Sequence, residues 1–597
     1  MGAGVDGFWG RLKQSKLVQW ALAYIAAAFA FVQGLDVIAQ RFGWPERIEK
    51  VIILALAVGF LVALVLAWYH GERGAQRVGG SELLIIALLL AIGGGVLWAY
   101  ARSPATPVVA VAKPATPASA ASVQVAARAF DPPADTLVVL PFANLGGDPK
   151  QQYFSDGITE ELTNALGQNT TLRVIAWDTA SKFRDSRQPA TDIAKTLNVA
   201  NVLTGKILRQ GSEVRVIVEL VNARTGYQAW SSHYDDSLAN IFQVQDKISA
   251  SIASALKVKF ASTRAAPTVD PQAHDLVLKG AALMRTDRTA AGLQQARRYF
   301  EQAIALDPGY ADAHAWVAGA WFDLTQFSPL PLAKALPQVR AEAGKALALD
   351  PDNVYALIVL ANIDATEGRI DKAKAGYERA LKLDPSNAIA HLDYALMLPL
   401  RQSLAESLEA VRLDPERVAA QNNLALAYLD LGEYQGALPA AQGMMRLEPD
   451  SPDSAFLLAS NYALLHRIED AVKVFDQAKP QTSLAKQLIA AGRLAYQSVL
   501  DPKLRPQALA AANALRRRND LDPVTVADLT QIYSRLGEYT AMLDLLPGMC
   551  TASPASCSDL SVNPVFLPVH GNPAFEALVK KYDTTSQPAA ALTSSSP

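Results

Sequence analysis

Three carboxylates stand close together at Asp156, Glu160 and Glu161, early in a helix-forming stretch. Grouped carboxylates can hold a divalent cation or move a proton. At the start of a helix they are also favoured by the backbone dipole, which accounts for them without a metal. Just upstream, Gly146-Gly147-Asp148 follows a strand, where a phosphate loop would lie. No lysine follows it, and the run reads as a turn. The seven histidines, among them His70, His233, His314 and His570, are scattered, with no two at ligand spacing. There is no nucleophile elbow, P-loop, dinucleotide fingerprint or zinc motif. No catalytic residue, cofactor or metal is expected. The two cysteines, Cys550 and Cys557, close a small disulfide loop if the compartment is oxidising and are free thiols otherwise. Loop closure would contribute roughly 2–3 kcal/mol.

The elements that carry these residues are set by a repeat. Leu-Asp-Pro recurs at Leu306-Asp307-Pro308, Leu349-Asp350-Pro351, Leu383-Asp384-Pro385 and Leu413-Asp414-Pro415, with Leu447-Glu448-Pro449 as a variant. The prolines step by 43, 34, 30 and 34 residues. A period near 34 marks a helix–turn–helix array. Ala296, Phe300 and Ala303 precede one proline; Ala373, Tyr377 and Ala380 precede another; Ala471, Phe475 and Ala478 repeat the spacing. Offsets of four and three put each trio on one helical face. Small alanines admit a close neighbouring helix, and the aromatic ring fills the gap between them. Leu424, Ala425 and Tyr428, like Leu458, Ala459 and Tyr462, form the matching face of the first helix. Proline ends the second helix, because it lacks an N–H and restricts the residue before it. Residues 271–550 resemble the tetratricopeptide repeat family on these motifs. The unit before Pro351 carries an insertion around 328–337, and the unit before Pro415 is short by about a turn.

In that family the first helices of successive units line a concave groove. The resemblance therefore implies a candidate peptide groove at Tyr355, Ile358, Asn362, Asn422, Leu426, Phe456 and Ser460. Asparagine amides there would bond a peptide backbone in both directions. The plain alternative is that these are solvent-facing helix positions. The lysine and asparagine set that binds C-terminal carboxylates in chaperone-binding relatives is not matched, so that ligand is not expected.

The chain has 597 residues and a formal net charge of −2, with a pI near 6.4. No basic stripe points to nucleic acid, and Arg516-Arg517-Arg518 reads as one solvated face. Three apolar runs, 17–39, 51–69 and 83–100, read as membrane helices and make the lipid bilayer an expected partner. The second and third end in Trp68-Tyr69 and Trp98-Tyr100, as at a headgroup interface. Gln19, Gln33 and Asp36 interrupt the first. It reads as a span, as an interfacial segment, or as a signal peptide behind Arg11, Lys13 and Lys16 with Ala28-Phe29-Ala30 at the cleavage site. A spanning first run, with residues 1–16 cytoplasmic, places residue 101 onward outside. Residues 101–135, with Pro104, Pro107, Pro114 and Pro117, read as an extended spacer.

Residues 136–262 alternate strands and helices. Thr136 to Pro141 reads as a buried strand, Ser155 or Asp156 as a helix cap, and residues 202–221 as a hairpin around Gln210-Gly211-Ser212. Val139-Leu140-Pro141-Phe142, Tyr153 through Leu162, Gly205-Lys206-Ile207, Thr225-Gly226 with Trp230, and Ile241-Phe242 with Gln245-Asp246 carry a second resemblance. On these residues the stretch resembles the TolB-N-terminal-like (FlgO-like) domain of bacterial envelope proteins. In that family the domain lies between membrane helices and tetratricopeptide repeats. It also follows adenylate cyclase domains and membrane-bound winged-helix regulators. Sixteen residues before the first apolar run are too few for a winged helix, and 136–262 is too short to add a cyclase, so neither output is expected. The tail motif around Pro564, Phe566, Asn572, Pro573 and Phe575 resembles the closing motif of such proteins, within a C-terminal tail set at 551–597.

The expected architecture is multidomain: N-terminal transmembrane helices, a small α/β domain and a C-terminal all-α tetratricopeptide-repeat solenoid. The expected function is a non-enzymatic scaffold at the bacterial inner membrane, its soluble domains periplasmic, that binds a protein or peptide partner. The second reading is a sensory component whose α/β domain binds a small ligand.

Overall fold

The computed structural model describes residues 130–258 and 268–583. The expected membrane helices, the cytoplasmic tail and nearly all of the 101–135 spacer lie outside the described residues. Among the described residues, no helix is long and apolar enough to cross a membrane.

The first part is a mixed sheet with helices on both faces. The strands are β1 (Thr136–Val139), β2 (Ala143–Asn144), β3 (Arg173–Val174), β4 (Asn201–Gln210), β5 (Glu213–Asn222) and β6 (Gln228–Ser237). Their order is β3-β1-β4-β5-β6, with β2 also on β4. β1 runs parallel to β3 and β4, and β4, β5 and β6 are antiparallel. All four residues of β1 are buried, as a strand covered on two sides requires. Leu137 and Val139 face helices α1 (Gln152–Gly167) and α4 (Ile241–Leu256) through Ile158, Leu162, Leu166, Val244 and Ile248. Val138 faces the opposite side, where α2 (Trp177–Ser181) and α3 (Ala190–Leu197) supply Ala180, Ile193 and Leu197. The expected hairpin is β4–β5, paired from Gln210↔Glu213 and turned by Gly211 at φ 63°, as a two-residue turn demands.

One local reading needs correcting. Ser155 and Asp156 do not cap α1; they lie within it. The chain turns earlier, where Asp148 accepts from the Lys150 N–H ahead of a short 3₁₀ turn that opens with Pro149.

The second part is eight antiparallel helix pairs among the described residues. They are α5 (Pro271–Thr286) with α6 (Ala290–Leu306), α7 (Ala311–Phe327) with α8 (Leu332–Leu349), α9 (Val354–Thr366) with α10 (Ile370–Leu383), and α11 (Ala388–Ala395) with α12 (Leu400–Leu413). There follow α13 (Val418–Asp430) with α14 (Tyr434–Leu447), α15 (Pro452–Leu464) with α16 (Ile468–Gln477), α17 (Ser483–Leu500) with α18 (Arg505–Arg516), and α19 (Pro523–Leu536) with α20 (Tyr539–Ala552). The alanine and aromatic trios pack as their spacing requires: Ala296, Phe300, Ala303, Ala373, Tyr377, Ala380, Ala471 and Phe475 are all buried. The irregular steps are absorbed by helix length. The 43-residue unit has helices of 17 and 18 residues, and the 30-residue unit has a first helix of 8.

The tripeptide has a local physical reason. Asp307 and Asp384 cap second helices with their backbone N–H, while their carboxylates accept the N–H two residues on, at Gly309 and Ser386. The following proline makes the stop final. The same tripeptide also ends a first helix at Asp501 and opens another at Asp522. It therefore marks helix ends in general, and the period alone marks repeats.

The last helix pair ends at Ala552, and the chain stays packed beyond it. Cys550 and Cys557, both fully buried, form a disulfide. Beyond them α21 (Pro573–Tyr582) is capped by Asn572 and buries Phe575 beside Phe566. Residues 551–583 are thus a packed end rather than a tail.

Candidate interaction surface on the first helices

The seven groove candidates fall on first helices, three on α9, two on α13 and two on α15. Their surroundings differ. Tyr355 packs tilted against Trp316 of the preceding first helix at 4.6 Å, and burial pushes its phenol up. Ile358 is buried with Ala373, Tyr377 and Ala390. Asn362 accepts from the Tyr377 hydroxyl and bonds Asp393, so its amide is already engaged. Asn422 is half-buried, and Leu426 packs at the margin of the C-terminal core. Phe456 is fully buried, edge-on to Phe475 at 5.1 Å. Ser460 is buried between the Tyr496 hydroxyl at 2.9 Å and Gln531 Oε1 at 2.7 Å. Those contacts join α15, α17 and α19, so the first helices close on one another there. Ile358, Phe456 and Ser460 were expected to face the groove; they stand inside helix packing instead. Side chains of neighbouring helices cover them, which the repeat period does not reveal.

The first of these helices, α5, meets the chain's own α/β domain. From α1, Glu160 pairs with Arg285 and Glu161 Oε1 lies 2.8 Å from His274 Nε2, both partners on α5. Gln245 of α4 donates to the second Glu161 oxygen at 2.6 Å. The Tyr153 hydroxyl and Arg209 donate to Asp275 at 2.7 and 2.5 Å, and Lys279 lies 2.8 Å from its other oxygen. Burial works against the Asp275 charge, yet these hydrogen bonds hold its carboxyl below the usual range. Burial dominates at Glu160, which is pushed up to about 7 against the pull of Arg285. Helix α1 approaches α5 closely because residue 157 is glycine: a Cβ there would lie 2.6 Å from the Leu278 side chain.

A second group of contacts uses the turns between repeats. Edge strand β3 leaves backbone groups unpaired. Ser386 covers them: its hydroxyl donates to the Leu172 carbonyl and accepts from the Val174 N–H, both at 3.2 Å. The Ala176 N–H donates to the Leu413 carbonyl at 2.8 Å. Thr179 donates to the fully buried Asp414 at 2.6 Å and accepts from the Glu416 N–H at 3.1 Å. Arg417 bridges Asp414 and Asp178. A polar cleft of about 120 Å³ remains among Glu160, Asn164, Asp178, Asp384 and Arg417.

The acidic cluster on α1 is therefore explained by specific side-chain partners more than by the helix dipole. Asp156 pairs with Arg184, and Glu160 and Glu161 reach the first repeat helix. Among the described residues, no three His, Cys, Asp or Glu side chains are grouped for a metal ion. The sequence reading missed His274, Asp275, Arg285, Ser386, Asp414 and Arg417. Their one visible trace was the density of carboxylates on α1.

The family model of the tetratricopeptide repeat matches residues 358–413, 403–452 and 422–485. These stretches run from α9 into α17. The chain carries tetratricopeptide repeats. A Rhizobium meliloti protein named "Putative adenylate cyclase 3" is 33% identical over 190 residues, 31% of this chain and 32% of that protein. Cellulose synthase operon protein C of Xanthomonas axonopodis pv. citri is 26% identical over 335 residues, 50% of this chain and 21% of that protein. A solved structure of Pseudomonas aeruginosa pilF is similar at a TM-score of 0.30 and 21% identity, covering 39% of this chain and 98% of its own. The chain spans about a third or less of the length of these two curated relatives.

Proposed function

We propose that this chain is a non-enzymatic scaffold that presents a tetratricopeptide array to a protein or peptide partner. The observation that carries the reading is the array itself. In the eight helix pairs each second helix packs on the first helix of the next unit, and such solenoids build extended binding faces out of repeated units. The hydrogen bonds and ion pairs to the α/β domain reach from His274 to Arg417. Asn422 and Leu426 on α13 come next along the chain, and they are the groove candidates best placed to meet a partner.

The anchoring and location belong to the same proposal. The apolar runs at 17–39, 51–69 and 83–100 support a multi-pass anchor in a bacterial inner membrane, and the TolB-N-terminal-like motifs of 136–262 support an envelope role. The Cys550–Cys557 disulfide favours the periplasmic side for the repeats. Nucleic acid is not a proposed partner, and no cofactor is proposed. Cyclase activity is not carried over from the Rhizobium protein, of which this chain matches 32%.

A second reading has one specific observation behind it. An open cavity of about 570 Å³ lies between the β4–β5 turn and α5, lined by Arg209, Ser212, Leu238, Asp275 and Lys279. A small ligand there would touch both the α/β domain and the first repeat, as a sensory role requires.

Co-purification with the full-length protein from its native membrane tests the first reading. One defined protein should be retained by the native chain and lost with Asn422→Arg. Retention of the same proteins by both chains would overturn the reading. Paired reporter fusions in the 101–135 spacer and after residue 597 test the location, and an inside-only signal would reverse the periplasmic assignment.

A further inference from the structure

The contacts between the α/β domain and the repeats have the chemistry of a bound ligand on its site. We propose that the face formed by α5 and the inter-repeat turns at 384–387 and 413–417 is a binding site whose resident occupant is the chain's own α1–α2 segment. A partner presenting an acidic helix gains this face by displacing it.

Charge complementarity is the first support. The segment brings Glu160 and Asp178 to Arg285 and Arg417, and Glu161 to a hydrogen bond with the His274 ring. The fit is close at both ends of α1. A Cβ at Gly157 would meet Leu278 at 2.6 Å, and one at Gly167 would meet Asp384 at 3.0 Å. Helix α1 has 16 residues, about 24 Å of helix, and so bridges α5 to the turn before α11.

The second support is that the interface can separate without unfolding either side. The large apolar residues of α1, Phe154, Ile158, Leu162 and Leu166, belong to the core of the α/β domain itself. What crosses to the repeats is mostly hydrogen bonds and ion pairs, which water replaces at small net cost. The apolar exceptions are Leu278, buried within the α/β core from the repeat side, and Phe242 of α4, which packs on the core of the first repeat and lies 4.7 Å from the His274 ring. Polar interfaces of this kind between domains are the ones that open. The docked state rests on the geometry alone; displacement by a partner also rests on the scaffold reading.

The test uses the full-length protein in three forms: native, Glu160→Arg with Asp178→Arg, and those two combined with Arg285→Glu and Arg417→Gln, which sets no second carboxylate against the buried Asp414. Hydrogen exchange reads the docking. The double variant should exchange about tenfold faster in α5 and at 384–387 and 413–417, with β4, β5 and α17 to α20 unchanged, and the fourfold variant should recover. A fluorescent synthetic peptide of residues 150–182 reads the vacated face. It should bind the double variant about tenfold tighter than the native chain. Unchanged exchange in the double variant, or acceleration spread over the whole fold with no recovery in the fourfold variant, overturns the docked occupant. Equal peptide binding by native and double variant, or binding by neither, overturns displacement. Failure of co-purification with these outcomes intact would remove the scaffold reading and leave the docking standing.

Discussion

Glu161 of α1 and His274 of α5 meet at 2.8 Å although 113 residues separate them, and Gln245 of α4 holds the second carboxylate oxygen at 2.6 Å. Three helices from two domains share one side chain. This junction is where the α/β domain becomes part of the repeat array, and its removal should be felt in both. Glu161→Ala leaves two polar groups without their partner, one of them on a buried histidine. The expected cost is about 1–3 kcal/mol by urea unfolding. A change under about 0.5 kcal/mol, the range of ordinary surface substitutions, would show that the junction is incidental.

Gly157→Val tests the close approach of α1 to α5. The added side chain has no space beside Leu278, so the two helices must move apart. Destabilisation of about 1–3 kcal/mol is expected. Gly344→Ala is the opposite case, since Gly344 lies inside α8 with open space around its Cα. It should stabilise by about 0.5–1 kcal/mol. Thermal unfolding of both variants checks the pair, and a swap of the two signs would contradict the packing.

Several carboxyls are held above their ordinary range by burial. Asp384 is pushed up to about 6, Glu160 to about 7 and Asp430 to about 8, the last also by Asp559 and Asp583. A raised value in the folded protein means that the native state binds these protons more tightly than the unfolded chain. Their stabilisation is complete below about pH 4, where the unfolded carboxyls are also protonated. It is lost as pH rises through the folded values, from about 6 to 8. Urea midpoints should therefore fall between about pH 5 and 8, and Asp430→Asn should flatten the upper part of that fall. Midpoints that rise across the window would exclude the effect.

Reduction of the Cys550–Cys557 disulfide should cost roughly 2–3 kcal/mol, as expected for a short closed loop. Both sulfurs are buried beside the packed C-terminal end, so faster hydrogen exchange should be confined to α20 and α21. Spread of the change to α5 or β3 would mean that the end cap and the domain interface are one cooperative unit.

The repeats were legible because their information is local and periodic. Proline stops, alanine and aromatic trios and helix lengths all recur within one unit, and the hairpin turn at Gly211 is equally local. The interface was not legible, because Asp178 and Arg417 are 239 residues apart and nothing near either marks the other. The inward turn of Ile358, Phe456 and Ser460 was hidden for a related reason. A repeat period gives the face of a helix, but the side chains of neighbouring helices decide whether that face is open.

The scaffold reading is tested most directly by placing a photo-cross-linking residue at Asn422 in the full-length protein in its native cell. The same residue at Lys372, an exposed position on second helix α10, serves as the comparison. The expected result is one discrete protein adduct from position 422 and none of that size from 372. No adduct at 422, or the same pattern from both positions, would contradict the claim that a partner binds the first helices of this array.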